Sequence, residues 1–113
     1  MKRIAILTCL KACQVCTGAS CLAAWNGRKG GFAQYTGEDI SLEAFCHCNG
    51  CDKDPETDAG IREKLERLQK IGVEVVHTGV CTLHRETKEL CPTIAKIHRL
   101  LQQRGIQVVQ GTH

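Results

Sequence analysis

Aromatic side chains are scarce in this chain: one Trp, one Tyr and two Phe among 113 residues. Nucleic-acid binding calls for a basic face with stacking rings. Here the formal net charge is only +3 and the basic residues are scattered, so no nucleic-acid partner is expected. No apolar run approaches the ~20 residues that cross a bilayer, and no membrane partner is expected either. The opening MKRIAILTCLKACQVC joins positive charge to apolar residues as a secretory leader does. Its apolar part is short and passes at once into cysteines, so it reads as a strand. Prolines number two, and no linker, repeat or low-complexity tract divides the chain. One domain over residues 1–113 is the expectation. The phosphate-cradling patterns G-x-G-x-x-G and G-x-x-x-x-G-K-[ST] are absent. The basic bend Gly27-Arg28-Lys29-Gly30-Gly31 reads as a flexible loop sooner than an anion site.

Cysteine is plentiful. There are nine, an odd number that cannot pair completely within one chain. Without a secretory leader, a structural disulfide framework is not expected. A reducing cytoplasm and thiolate ligands are the better match.

The pattern of apolar residues alternates strands with helices. Lys2 to Thr8, KRIAILT, is β-branched and suits a buried strand. A helix is expected near Ser20 to Trp25, ended by Asn26-Gly27. Ile40 to Phe45 alternates apolar and polar, as a second strand does. Asp54-Pro55 breaks the chain. Ile61, Leu65, Leu68 and Ile71 then fall on one face of a helix. Thr57 or Asp58 is placed to cap it and Gly72 to end it. VEVVHTG is a third strand. Pro92 suits the first position of a last helix, which carries Ile94, Ile97 and Leu101 on one face and stops at Gly105. IQVVQGTH holds a fourth strand. The order β-α-β-α-β-α-β predicts an α/β fold. We expect a single domain with a small four-stranded parallel sheet, helices on both faces, and a flavodoxin- or Rossmann-like three-layer arrangement. The expected strand order is 2-1-3-4.

All strands of a parallel sheet end at one edge. Cys9, Cys13 and Cys16 follow the first strand, and Cys48 and Cys51 the second. Cys81 and His84 follow the third, Cys91 opens the last helix, and His113 follows the fourth strand. Four neighbouring strands span only about 15 Å, so loops far apart in sequence deliver thiols and imidazoles to one rim. Helix starts also favour the thiolate, the form that binds metal. Cys91 precedes Pro92, and Cys16 and Cys21 bracket the start of the first helix. Cys48-Asn49-Gly50-Cys51 is a C-x-x-C knuckle whose spacing lets both sulfurs turn toward one ion. Asp52 to Pro55 follows it, where a thioredoxin-like motif would open a helix directly, and Asp52 stands where haem attachment needs His. Cys46 lies near the end of its strand, where a core role competes with a site role. His77, within a strand, and His98, on a helix, read as structural.

These pieces together resemble the CGGC domain family, a group of small proteins whose cysteines and histidines suggest zinc binding. The matching stretches are ILTC, CTGASCLAAWNGRKGGFAQY, AFCHCNGC, VVHTGVCT, LCPTIAKI and VVQGTH, in order along nearly the whole chain. The resemblance implies a metal-ligand set of Cys9, Cys16, Cys21, Cys48, Cys51, Cys81, Cys91 and His113. The namesake motif is Cys48-Asn49-Gly50-Cys51, with Asn49 in place of the first glycine. Cys13, Cys46, His47 and His84 fall outside the recognised pattern.

Eight ligands exceed what one tetrahedral zinc takes. The surplus points to two metals, or to an iron–sulfur cluster held by four cysteines with others in support. Zinc and iron–sulfur remain open, since both accept thiolate-rich tetrahedral sets. The alternative is a redox or electron-transfer protein with an iron–sulfur cluster or a reversible Cys48–Cys51 disulfide, its protein partner or redox donor unspecified. A cysteine-nucleophile enzyme of the thiol phosphatase or arsenate reductase kind needs Arg six residues after its Cys. None of the nine has one; Arg85 stands too close to Cys81. Whether any reaction is catalysed is left open.

Overall fold

A computed structural model describes every residue, Met1–His113. Four strands alternate with three α-helices: β1 (Lys2–Thr8), α1 (Ala19–Gly27), β2 (Ile40–His47), α2 (Ala59–Lys70), β3 (Val75–Thr78), α3 (Pro92–Gln103) and β4 (Gln107–Gln110). The strands form one sheet in the order β2-β1-β3-β4, and every pairing is parallel. The α/β class and the strand order agree with the pattern of the sequence. No helix is long and apolar enough to cross a membrane.

β1 is central, and its alternation builds two cores. Ala5 and Leu7, with Val76 of β3, pack against Ile61, Leu65 and Leu68 of α2 and Ile94, Ile97 and Leu101 of α3. Ile4 and Ile6, with Val75, pack against Cys21 and Ala24 of α1 and against Phe32 and Tyr35. Successive strand residues point to opposite faces, so the two clusters lie on opposite sides of β1. Each fully buried Ile or Leu contributes about 1.5–3 kcal/mol.

Local signals act where the sequence places them. Asp58 caps α2 by accepting the Ile61 N–H at 3.0 Å. Gly72 follows α2 in the left-handed conformation, φ +82°. Cys91 is the residue before α3, and Pro92 opens the helix.

Two features differ from expectation. β2 runs on to His47, which takes Cys46 into the strand. Cys46 is half-buried against the α2–α3 core. Three short 3-10 turns also appear, at Ala12–Gln14, Gly30–Tyr35 and Val80–Thr82. Runs of this length carry too few residues to show a period, and two of them hold Cys13 and Cys81.

Candidate metal centre

Two cysteine-bearing loops meet the chain where β1 ends. The Cys9 N–H, directly after β1, donates to Cys81 Sγ at 3.3 Å. The Leu10 N–H donates to Cys48 Sγ at 3.4 Å. Two consecutive amides after β1 are thus turned to sulfurs from the loops after β3 and β2. All nine cysteines are free thiols.

On one side stand Cys48, Cys51 and Cys91. Cys48 is buried and belongs to the α2–α3 core, and Cys91 packs against that core. Cys51 is exposed. Its thiol is held above the ordinary range, first by the charge of Cys91 beside it, then by loss of solvent, then by Cys9, with a hydrogen bond to Cys91 and the charge of Cys48 adding in the same direction. Like charges so close disfavour joint ionisation. The knuckle is fastened from α2. Lys64 Nζ donates to the His47 carbonyl at 2.6 Å and to Asn49 Oδ1 at 2.7 Å. Asn49 Nδ2 in turn donates to the capping carboxylate of Asp58 at 2.9 Å.

On the other side is a cavity of about 200 Å³ lined by Cys13, Cys16, Cys21, Cys81 and His113, with Thr8 and Ser20 supplying hydroxyls. Burial is the main cause that raises the Cys81 thiol; the Cys9 N–H opposes it, and Cys9, Cys21 and Cys13 add to it. The Thr112 hydroxyl, fully buried, meets Cys21 Sγ at 3.2 Å and His113 Nδ1 at 3.0 Å. His113 Nδ1 approaches Cys21 Sγ to 4.0 Å. The larger hollow, about 510 Å³, lies over the polar face of α2 beside Glu63, Glu66 and Arg67 and holds no thiol or imidazole.

The segment after β4 is held by His77 and by the glycine pair Gly30-Gly31. His77 is buried, with Nδ1 2.9 Å from the Gly111 carbonyl and Nε2 2.7 Å from Tyr35 Oη. A carbonyl only accepts, so Nδ1 carries the proton and Nε2 accepts from the tyrosine. Burial lowers the His77 pKa, and the bond to Gly111 partly offsets it. Gly30 and Gly31 touch the same segment. A Cβ on Gly30 would lie 2.6 Å from the Thr112 carbonyl oxygen and 2.7 Å from His113 Cα. The glycine pair is a backbone-to-backbone contact, and Arg28 folds over the Trp25 ring at 4.8 Å.

Of the histidines outside the recognised pattern, His47 turns Nδ1 to the Cys48 carbonyl. His84 Nδ1 accepts from the Glu86 and Thr87 amides. Cys13, outside the recognised pattern, lines the cavity. Its signal was present: Cys13-Gln14-Val15-Cys16 has the same spacing as Cys48-Asn49-Gly50-Cys51.

The donors do not form a closed coordination set: no three Cys, His, Asp or Glu side chains stand together as a metal site. Their chemistry nevertheless fits a thiophilic ion. Sulfur and imidazole dominate its donors, and no Asp or Glu side chain lines the cavity.

Fold and rim define a small parallel α/β protein with a thiol-rich strand edge. The chain belongs to the CGGC domain family, whose model matches residues 3–113. Searches of curated proteins and of solved structures find no match. The family and the nine cysteines fit metal binding.

Proposed function

We propose that this protein binds metal through thiolates and imidazole at the C-terminal edge of its sheet. The observation that carries this reading is the pair of contacts after β1, from Cys9 N–H to Cys81 Sγ and from Leu10 N–H to Cys48 Sγ. They bring loops from three strands to one place. The ligand set is drawn from Cys9, Cys16, Cys21, Cys48, Cys51, Cys81, Cys91 and His113. The occupant is zinc or an iron–sulfur cluster, which thiolate-rich donors both accept. Bound metal ties separated loops together, so its binding energy adds to folding stability. Such a site needs reduced cysteines, which supports a reducing compartment such as the cytoplasm.

The test is elemental analysis of protein purified without oxygen, wild type beside Cys48→Ser/Cys51→Ser. Bound metal is expected to fall in the double variant, and unchanged stoichiometry overturns the assignment. Visible absorption separates the two occupants, because a cluster is coloured and zinc is silent.

A further inference from the structure

β2 is the outermost strand on one side of the sheet, and its eight residues outrun the four of β4 at the other edge. Edge strands expose unpaired N–H and C=O groups, and proteins ordinarily blunt them with Lys, Pro or a short length. β2 reads ISLEAFCH and has neither Lys nor Pro. A bulge between Leu42 and Ala44 interrupts its pairing with β1, so the regular stretch is 44–47. The Cys48 N–H, just past the strand, donates to the Thr8 carbonyl at 3.1 Å, and the Cys46 carbonyl accepts from Thr8 Oγ1 at 3.3 Å. Both groups face β1. Backbone groups in a ladder alternate in direction, so the N–H and C=O of Phe45 and of His47 face away from the sheet.

We propose that β2 pairs antiparallel with β2 of a second copy of this chain, about a two-fold axis at Phe45, and joins the two sheets into one. Three observations carry it. First, the register is self-complementary, as a two-fold contact requires. Phe45 falls opposite Phe45, Ala44 opposite Cys46, and Glu43 opposite His47, so no like charges meet across the pair. Each Phe45 N–H donates to the Phe45 carbonyl of the other copy. Second, the charges are complementary. Lys64 Nζ rests on the outward His47 carbonyl at 2.6 Å and enters no ion pair. Glu43 of the second copy, facing His47, brings a carboxylate beside that ammonium. The His47 carbonyl has a second lone pair free for the ladder. Third, apolar side chains flank the edge. The Phe45 ring lies over Gly18, 3.1 Å from where a Cβ would stand, and is still 40% exposed. Leu22, one turn along α1 from Gly18, is 39% exposed. A second copy, and not an unrelated peptide, supplies both the Glu43 that Lys64 lacks and the ring that meets Phe45. The contact is short beside the ~1,200 Å² of a standard interface, so the dimer forms and separates reversibly.

The experiment is sedimentation of the full chain from micromolar to millimolar concentration, with amide hydrogen exchange read by NMR on the same samples. Reductant and chelator are present throughout, so neither a disulfide nor a metal bridges the copies. Monomer is expected to pass reversibly to dimer. The Phe45 and His47 amides are expected to exchange at least tenfold more slowly at the high concentration than at the low one. Phe45→Lys, at an exposed position, is expected to weaken association at least tenfold and to leave the circular dichroism of the monomer unchanged. Glu43→Lys sets like charges against Lys64 and is expected to weaken association too; it leaves the ring in place and keeps the test open where Phe45→Lys fails to fold. A chain that stays monomeric at millimolar concentration overturns the proposal. So does a dimer that leaves these two amides unprotected, or one that either folded variant retains at full strength.

Discussion

Cys48 and Cys51 are near neighbours in sequence and differ in surroundings. Cys48 is buried with its sulfur under the Leu10 amide, while Cys51 is exposed and feels Cys91 most strongly. The consequence concerns oxidation. When diamide withdraws two electrons and two protons from the reduced, metal-free protein, the expected bond joins Cys51 to Cys91. Peptide mapping after alkylation checks it; a predominant Cys48–Cys51 bridge would show that the knuckle, not the loop-to-helix approach, governs the chemistry. The C-x-x-C spacing was legible in the sequence. The partner of Cys51 was not, because Cys91 is brought near only when α3 docks on the sheet.

Asn49 links a loop to a helix. It stands where the family's namesake motif has glycine. Its amide joins the Asp58 cap, and its oxygen accepts from Lys64 of the same helix. Hydrogen bonds hold the Asp58 carboxyl below its ordinary value, the one from Asn49 foremost and that from the Ile61 amide next. Asn49→Gly removes both bonds and loosens the loop. It is expected to destabilise the metal-free protein by about 1–2 kcal/mol, read from urea unfolding. A variant as stable as wild type would mean that the knuckle is not fastened through this side chain. The helices themselves were readable in advance. Ile61, Leu65 and Leu68 recur at helical spacing, Asp58 caps and Gly72 terminates, and each signal acts within a few residues of its own position. The 3-10 turns that carry Cys13 and Cys81 were not readable, since one turn shows no period.

Considered as a whole, the protein has buried and half-buried titratable groups on both sides of neutrality. His77 and His98 are lowered by burial. In the unfolded chain a histidine takes its ordinary value of about 6.5, so below that pH the unfolded state binds protons the native state resists. Stability is therefore lost as pH falls through about 6.5. Burial raises Cys46, with Lys64 partly opposing, and burial foremost raises Cys81. Unfolded thiols ionise near pH 8.5 while these stay protonated, so stability is also lost as pH rises past that value. The melting temperature of reduced, metal-free protein should peak between the two. A value that stays level from about pH 7 to about pH 5 would show that His77 and His98 accept protons without penalty.

The amino-acid order alone set the alternation of strands and helices and put cysteines in the segments that follow the strands. Periodicity, caps and stops are local, and a parallel topology sends every strand end the same way. Folding in three dimensions chose the neighbours: Cys51 beside Cys91, Cys13 with Cys21 and Cys81, and His77 bridging Tyr35 to Gly111. Those pairings depend on which face of β1 each helix covers. Side chains from distant segments meet only when burial of apolar surface has drawn the layers together.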